Sequence, residues 1–204
     1  KQMYVKQNIL VACEFSGTVR EAFRAKGHNA VSCDLLDSDD DSPYHYKGDV
    51  RDVLYDTSWD MVIAHPPCTY LTNAGVSWLH KDPSRWDRLR EGAEFFSLFL
   101  DLEIPKICVE NPIMHKYAKE FIGFRHQSQT IQPWMFGHKE QKATCLWLRG
   151  LPLLQETDNV KEDMLKLTKA ERNRIHYLSP SKDRWKKRSM TYQGIADAMA
   201  EQWG

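Results

Sequence analysis

Two side chains stand where their types can do covalent chemistry: Cys68, in His65-Pro66-Pro67-Cys68, and Glu110, in Cys108-Val109-Glu110-Asn111-Pro112. Two prolines fix the backbone and present no amide donors, so they hold the thiol that follows them rigidly. A thiolate is a strong nucleophile when neighbouring groups lower its pKa. A glutamate closing an apolar run is costly to bury without a partner or a task. In an apolar pocket its pKa rises, and the carboxyl stays protonated as a hydrogen-bond donor. Each residue also has a purely structural reading. Cys68 would be an inert thiol at a proline-rich strand end. Glu110 would cap a following helix whose first turn holds Pro112.

The other cysteines (Cys13, Cys33, Cys108 and Cys145) lie in or at the ends of apolar runs, where cysteine acts as a small buried hydrophobe. An odd total of five, with no C-x-x-C spacing, points away from a disulfide framework and from a metal site. That usage fits a reducing, cytoplasmic compartment.

The elements that must position these groups alternate. NILVAC (8–13), AVSCD (30–34), MVIAH (61–65) and ICVEN (107–111) are short continuous apolar runs, the pattern of strands buried on both faces. Between them Val19, Ala22 and Phe23, then Trp86, Leu89, Ala93, Phe96 and Leu100, then Met114, Tyr117, Ala118 and Phe121 recur at helical spacing. Strands alternating with helices predict an α/β fold with a mainly parallel sheet and helices on both faces. Further on, CLWL (145–148) reads as a strand, 160–174 as a polar helix, Ser179 to Arg188 as loop, and Thr191 to Trp203 as a closing helix.

Ligands of such sheets bind beyond the carboxyl ends of the strands. Those ends carry Glu14-Phe15-Ser16-Gly17, Asp34, Gly48-Asp49-Val50-Arg51-Asp52, His-Pro-Pro-Cys68 and Glu110-Asn111. The glycine turn into a helix lets a ligand approach the backbone and the helix dipole. Asp34 follows Gly17 at close to the spacing of about 20 residues seen for ribose-binding carboxylates. Taken alone, turn and aspartate are equally well a structural turn and a solvated side chain.

The 204 residues, 42% hydrophobic and 27% charged, fit one domain over 1–204 of ordinary globular make-up. No apolar run approaches the roughly 18 residues that span a bilayer. The start KQMYVKQNILVAC lacks the small-residue cleavage site of a signal peptide. Net charge is zero but uneven: residues 161–190 carry ten Lys/Arg against four Asp/Glu. Such a segment suits either a polyanion or a solvated surface.

The motifs VACEFSG, Asp34, GDVRD, PPC and ENP occur in the order found in cytosine-C5 DNA methyltransferases, and the chain resembles in particular the short members encoded by bacteriophages. The likeness runs over nearly the whole chain, including IQPWMFGHKEQKATCLWL and TYQGIADAMAEQWG. PPC with EN-x is its specific part. The resemblance implies a Rossmann-like fold, S-adenosylmethionine as cofactor, and DNA as partner with the target cytosine flipped out of the stack. Cys68 would attack C6 and Glu110 would bind N3 and the exocyclic amine. Phe15, Ser16 and Gly17 would line the cofactor, Asp34 its ribose, Asp49 and Val50 its adenine, and Pro67 the turn beneath the reacting centre.

The chain also departs from the family. ENP replaces ENV, GIA replaces the late G-N-S/A, and no clean Q-x-R-x-R stretch is present. Around the base this leaves Pro66, Asn111, Lys142 and Thr144 as substrate contacts. A small basic insertion over 150–190 takes the place of a full target-recognition domain. Its Arg184, Lys186, Lys187 and Arg188 would hold phosphates without reading sequence, which implies low or short sequence specificity. An amino-methyltransferase would carry D/N-P-P-aromatic where this chain has His65 and Cys68. Modification of a free cytosine nucleotide, or a non-catalytic nucleic-acid-binding or decoy protein on the same scaffold, remain the other readings.

Overall fold

Every apolar run picked out above becomes a strand of a seven-stranded sheet in the computed structural model, which describes residues 4–204. Residues 1–3, the start of the segment read for a leader peptide, lie outside the described residues. The strands are β1 (Asn8–Ala12), β2 (Asn29–Asp34), β3 (His45–Lys47), β4 (Met61–Ala64), β5 (Lys106–Pro112), β6 (Gln129–Ile131) and β7 (Thr144–Arg149). Their order is β3-β2-β1-β4-β5-β7-β6. The first five in that order are parallel, β7 runs antiparallel to β5, and β6 antiparallel to β7. This is the expected mainly parallel, Rossmann-like α/β fold.

Side chains alternate between the faces of a strand, and each face has its own helices. On one face Leu10, Ala12, Val62, Ala64, Ile107 and Val109 meet Leu89, Ala93, Phe96 and Phe99 of α3 (Ser84–Leu100). On the other, Ile9, Val11, Met61, Ile63 and Cys108 meet Val19 and Phe23 of α1 (Thr18–Ala25) and Ile195, Met199 and Trp203 of α8 (Gln193–Trp203). Short helices α2 (Arg51–Leu54) and α4 (Lys116–Phe121) follow β3 and β5. The pairing of Ala64 with Val109 sets β4 and β5 side by side. The turn bearing Cys68 and the strand end bearing Glu110 are therefore neighbours, as their positions in the sequence predicted.

Some expectations are corrected. The polar helix over 160–174 is two helices, α5 (Lys161–Leu165) and α6 (Lys169–Arg172). The break falls at Thr168, whose side chain and that of Glu171 form a reciprocal capping box that starts a new helix. The stretch read as loop over Ser179 to Arg188 contains the start of α7 (Arg184–Ser189). Pro112 does not open a helix: it is the last residue of β5, opposite Thr144. No described helix is long and apolar enough to cross a membrane.

Candidate active site

Beyond the carboxyl ends of β1, β2 and β4 lies a cavity of about 740 Å³, walled by Cys13, Asp34, Leu35, Asp49, Val50, Pro67, Phe95 and others. Four residues expected at the cofactor (Asp34, Asp49, Val50 and Pro67) thus share one cavity. Burial pushes the Asp34 carboxyl above its usual value, although the Leu36 amide, His45 and Lys186 oppose the rise. Cys13, read only as a strand-end hydrophobe, sits at the mouth of this cavity in the left-handed region, with φ of 60°.

The glycine turn lies outside the lining of the larger cavity. Phe15 walls the adjoining cavity instead, Ser16 lines only a recess of about 10 Å³, and Gly17 lines neither. Gly17 has φ of 77°, and a Cβ there would lie 2.4 Å from the Arg20 guanidinium and 2.9 Å from the Asp40 carboxylate. The turn is packed rather than open. The start of α1 is likewise taken. The buried Glu14 carboxylate accepts hydrogen bonds from the Val19 and Arg20 amides at 2.9 and 3.1 Å, so this helix terminus offers its donors to the chain itself.

A second cavity, of about 490 Å³, adjoins the first through Cys13, Asp34, Pro67 and Trp185. It holds Cys68, with His65, Trp78, Arg85, Arg184 and Arg188 in its walls. Burial raises the Cys68 thiol; Lys142, its own backbone amide and Arg188 pull it down, and the net displacement is upward. The thiol is thus not a standing thiolate in this arrangement, and Lys142 and Arg188 are the cations that favour ionisation.

Glu110 sits behind His65, with 3.1 Å between His65 Nδ1 and a carboxylate oxygen. The approach is ionic and out of line for a hydrogen bond: His65 Nδ1, His65 Nε2 and Glu110 Oε2 have no hydrogen-bond partner among the described residues. Burial alone would push the Glu110 carboxyl up, but the charges of His65 and Lys142 outweigh it and hold the group below its usual value. For His65, burial pulls down while Glu110, and Glu14 further off, raise the imidazole above its usual value. The expectation that burial raises the Glu110 carboxyl is therefore corrected: pairing with His65 holds it down instead. The two members of the pair are 45 positions apart, and each run read singly suggested no such partner.

Three expected substrate contacts brace the site instead. Pro66 is buried, and its carbonyl accepts a hydrogen bond from Asn111 Nδ2 at 3.0 Å. Asn111, 1% exposed, thus ties the end of β5 to the cysteine turn. Thr144 is buried in β7, and its hydroxyl bonds the Lys142 carbonyl at 3.2 Å. Lys142 is different. Its charge acts on both Cys68 and Glu110, burial lowers its own pKa, and its ammonium donates to the Arg188 carbonyl. His115 adds a further brace, with one ring nitrogen on the Tyr70 carbonyl at 2.9 Å and the other accepting the Ala118 amide at the start of α4.

The basic segment divides by helical face. Arg184 and Arg188, four apart on α7, wall the Cys68 cavity. Lys186 lies 5.8 Å from the Phe15 ring centroid, and Lys187 is exposed away from the cavity. Trp185 lines both cavities and meets Phe15 edge-on at 6.1 Å. Arg85, at the start of α3, went unnoticed because its run reads first as an apolar helical stripe. Among the described residues no group of three His, Cys, Asp or Glu gathers as a metal would require.

No family model matches the chain, and no curated protein matches it either. Solved structures do resemble it. A prophage-encoded E. coli protein described as a DNA modification methyltransferase matches at TM-score 0.45 and 14% identity over 70% of this chain and 46% of its own. The methyltransferase EhMeth of Entamoeba histolytica matches at TM-score 0.47 and 13% identity over 76% of this chain and 58% of its own. The bifunctional kinase-methyltransferase WbdD matches at 0.39 and 10% over 74% of this chain and 36% of its own. The chain thus spans about half the length of the first two. At such identities and scores, nothing about reaction or substrate follows from the likeness.

Proposed function

We propose that the chain is an S-adenosylmethionine-dependent methyltransferase that modifies C5 of cytosine in DNA through attack of Cys68 on C6. One observation carries the reading: two cavities meet at Cys13 and Pro67, one with Asp34 at the end of β2, the other with a rigidly held thiol. The larger falls in the range of about 300–1,000 Å³ typical of cofactor sites. Its residues fit the cofactor: Asp34 suits ribose hydroxyls, Asp49 and Val50 the adenine, and Pro67 the side nearest Cys68. When bound there, S-adenosylmethionine supplies an electrophilic methyl group.

The chain's own residues do the rest. Lys142 and Arg188 favour loss of the Cys68 proton as a base displaces water from the cavity. The thiolate forms a bond to C6, and the ring electron pair moves toward C5. His65 lines the cavity with Glu110 paired to it, and a proton held by that pair would offset charge developing at N3. Once C5 carried a methyl group, loss of the C5 proton to solvent and departure of Cys68 as thiolate would restore the ring. Asn111 and His115 keep the turn in place throughout. Cations that meet phosphates rather than base edges imply low or short sequence specificity.

The test is incubation with S-adenosylmethionine and, separately, DNA, dCMP and dCTP, followed by mass spectrometry of the nucleosides. 5-Methylcytosine from DNA is expected, and none from Cys68→Ser. Product that survives Cys68→Ser would refute the mechanism, and failure to bind S-adenosylmethionine by calorimetry would refute the whole reading.

A further inference from the structure

Two exposed tryptophans, carried by different elements, line the Cys68 cavity. Trp78, in the 3-10 helix Asn73–His80, is 52% exposed; Trp185, on α7, is 54% exposed. Large aromatics left in water at a site ask for a partner. Each indole has a cation beside it: the Lys81 ammonium lies 5.0 Å from the Trp78 ring and the Lys186 ammonium 5.9 Å from the Trp185 ring.

Three guanidinium groups line the same cavity. Arg184 and Arg188 come from α7 and Arg85 from the start of α3. Arg85 Nε is buried with no hydrogen-bond partner among the described residues, and its guanidinium rests 4.9 Å from the Tyr70 ring, in the cysteine turn. Arg188 is held by the Ile175 and His176 carbonyls. The arginines are therefore carried by two different helices around one cavity with the thiol, as a chain of phosphates passing over the cavity would require.

Alternating stacking platforms and cations are the surface that binds single-stranded nucleic acid, because every unpaired base offers a free face. In a duplex those faces are already stacked, and a base must be pulled out before it can reach a recessed thiol. A free nucleotide has one base and would leave the second indole bare. We infer that the substrate is single-stranded DNA, with the target cytosine over Cys68 and its neighbours stacked on Trp78 and Trp185. This rests on the cytosine reading above for the base in the cavity, but not for the strand across it.

The experiment is fluorescence anisotropy of a labelled dodecanucleotide with one central cytosine, single-stranded or annealed to its complement, with dCMP as competitor, in the presence of S-adenosylhomocysteine. Methyl transfer to the same oligonucleotides is measured in parallel. The single strand should bind at least tenfold more tightly than the duplex. Trp78→Ala should weaken that binding about tenfold, and Trp78→Phe should restore most of it. Three phosphate contacts give a slope of log affinity against log salt of about −2, reduced by about 0.7 in Arg85→Gln. Equal or tighter duplex binding, or dCMP competing as well as the oligonucleotide, overturns the inference even if cytosine is methylated. Single-strand preference without methyl transfer would instead remove the proposed reaction and leave the strand-binding surface standing.

Discussion

Replacing His65 by Gln tests whether the His65–Glu110 pair is ionic, because the amide keeps polarity but cannot carry charge. The two side chains are 10% and 16% exposed, so the pair is close to buried. Breaking a buried pair costs about 3–5 kcal/mol. We expect the lower end, about 3 kcal/mol, because Glu110 can take up a proton once its partner is gone. For a domain of this size, about 2–4 °C of melting temperature goes with each kcal/mol, so His65→Gln should melt about 6–12 °C below the wild type. The pH dependence has a definite sign. His65 is raised from 6.5, so its contribution is complete below that value and is lost as pH rises through the higher, folded-state value. Glu110 is lowered from 4.5, so its contribution is complete above that value and is lost as pH falls through the lower one. Circular-dichroism melts of wild type, His65→Gln, Glu110→Gln and the double variant should therefore differ most between those two ordinary values. The wild-type advantage should shrink at alkaline pH. A loss in His65→Gln that is as large at pH about 9 as at pH about 5.5, or additive effects in the double variant, would refute the ionic pairing.

The other predictions concern the thiol and its supports. With Cys68 above its usual value in the free protein, kcat/KM for methyl transfer should climb with pH beyond the ordinary thiol range of about 8.5; a flat profile there would mean that some other step governs the rate. Lys142→Met removes a cation acting on both Cys68 and Glu110; it should lower kcat/KM by about tenfold or more and move the alkaline limb to higher pH, with Lys142→Arg recovering part of both. Asn111→Ala leaves the Pro66 carbonyl unpaired in a buried position and should cost about 1–3 kcal/mol in denaturant melts; an unchanged midpoint would show that the tie contributes nothing.

What was legible in the sequence follows burial. β1, β2, β4, β5 and β7 are central and covered on both sides, so their apolar runs announce them. β3 and β6 are three-residue edge strands of HYK and QTI, with one neighbour each and no need of a continuous apolar run. α7 has no buried residue, so it lacks the apolar stripe that marks a surface helix. Cys68 and Asp34 could be found because residue type and strand-end position suffice for each. The His65–Glu110 pair, the Arg85 wall and the second role of Trp185 are long-range juxtapositions that no local pattern encodes. The openness of the glycine turn was not legible, because it depends on Arg20 and Asp40, the latter 23 positions further along a loop that folds back over it.

One short helix, α7, forms a wall of both cavities through Trp185, and its last turn is fastened to the rest of the protein by Lys142. Under the proposed function, a cofactor in the larger cavity and a base at Cys68 would share this wall, so any coupling between them is reciprocal. Whatever factor an occupant of the larger cavity adds to affinity at Cys68, an occupant at Cys68 must return to the larger cavity.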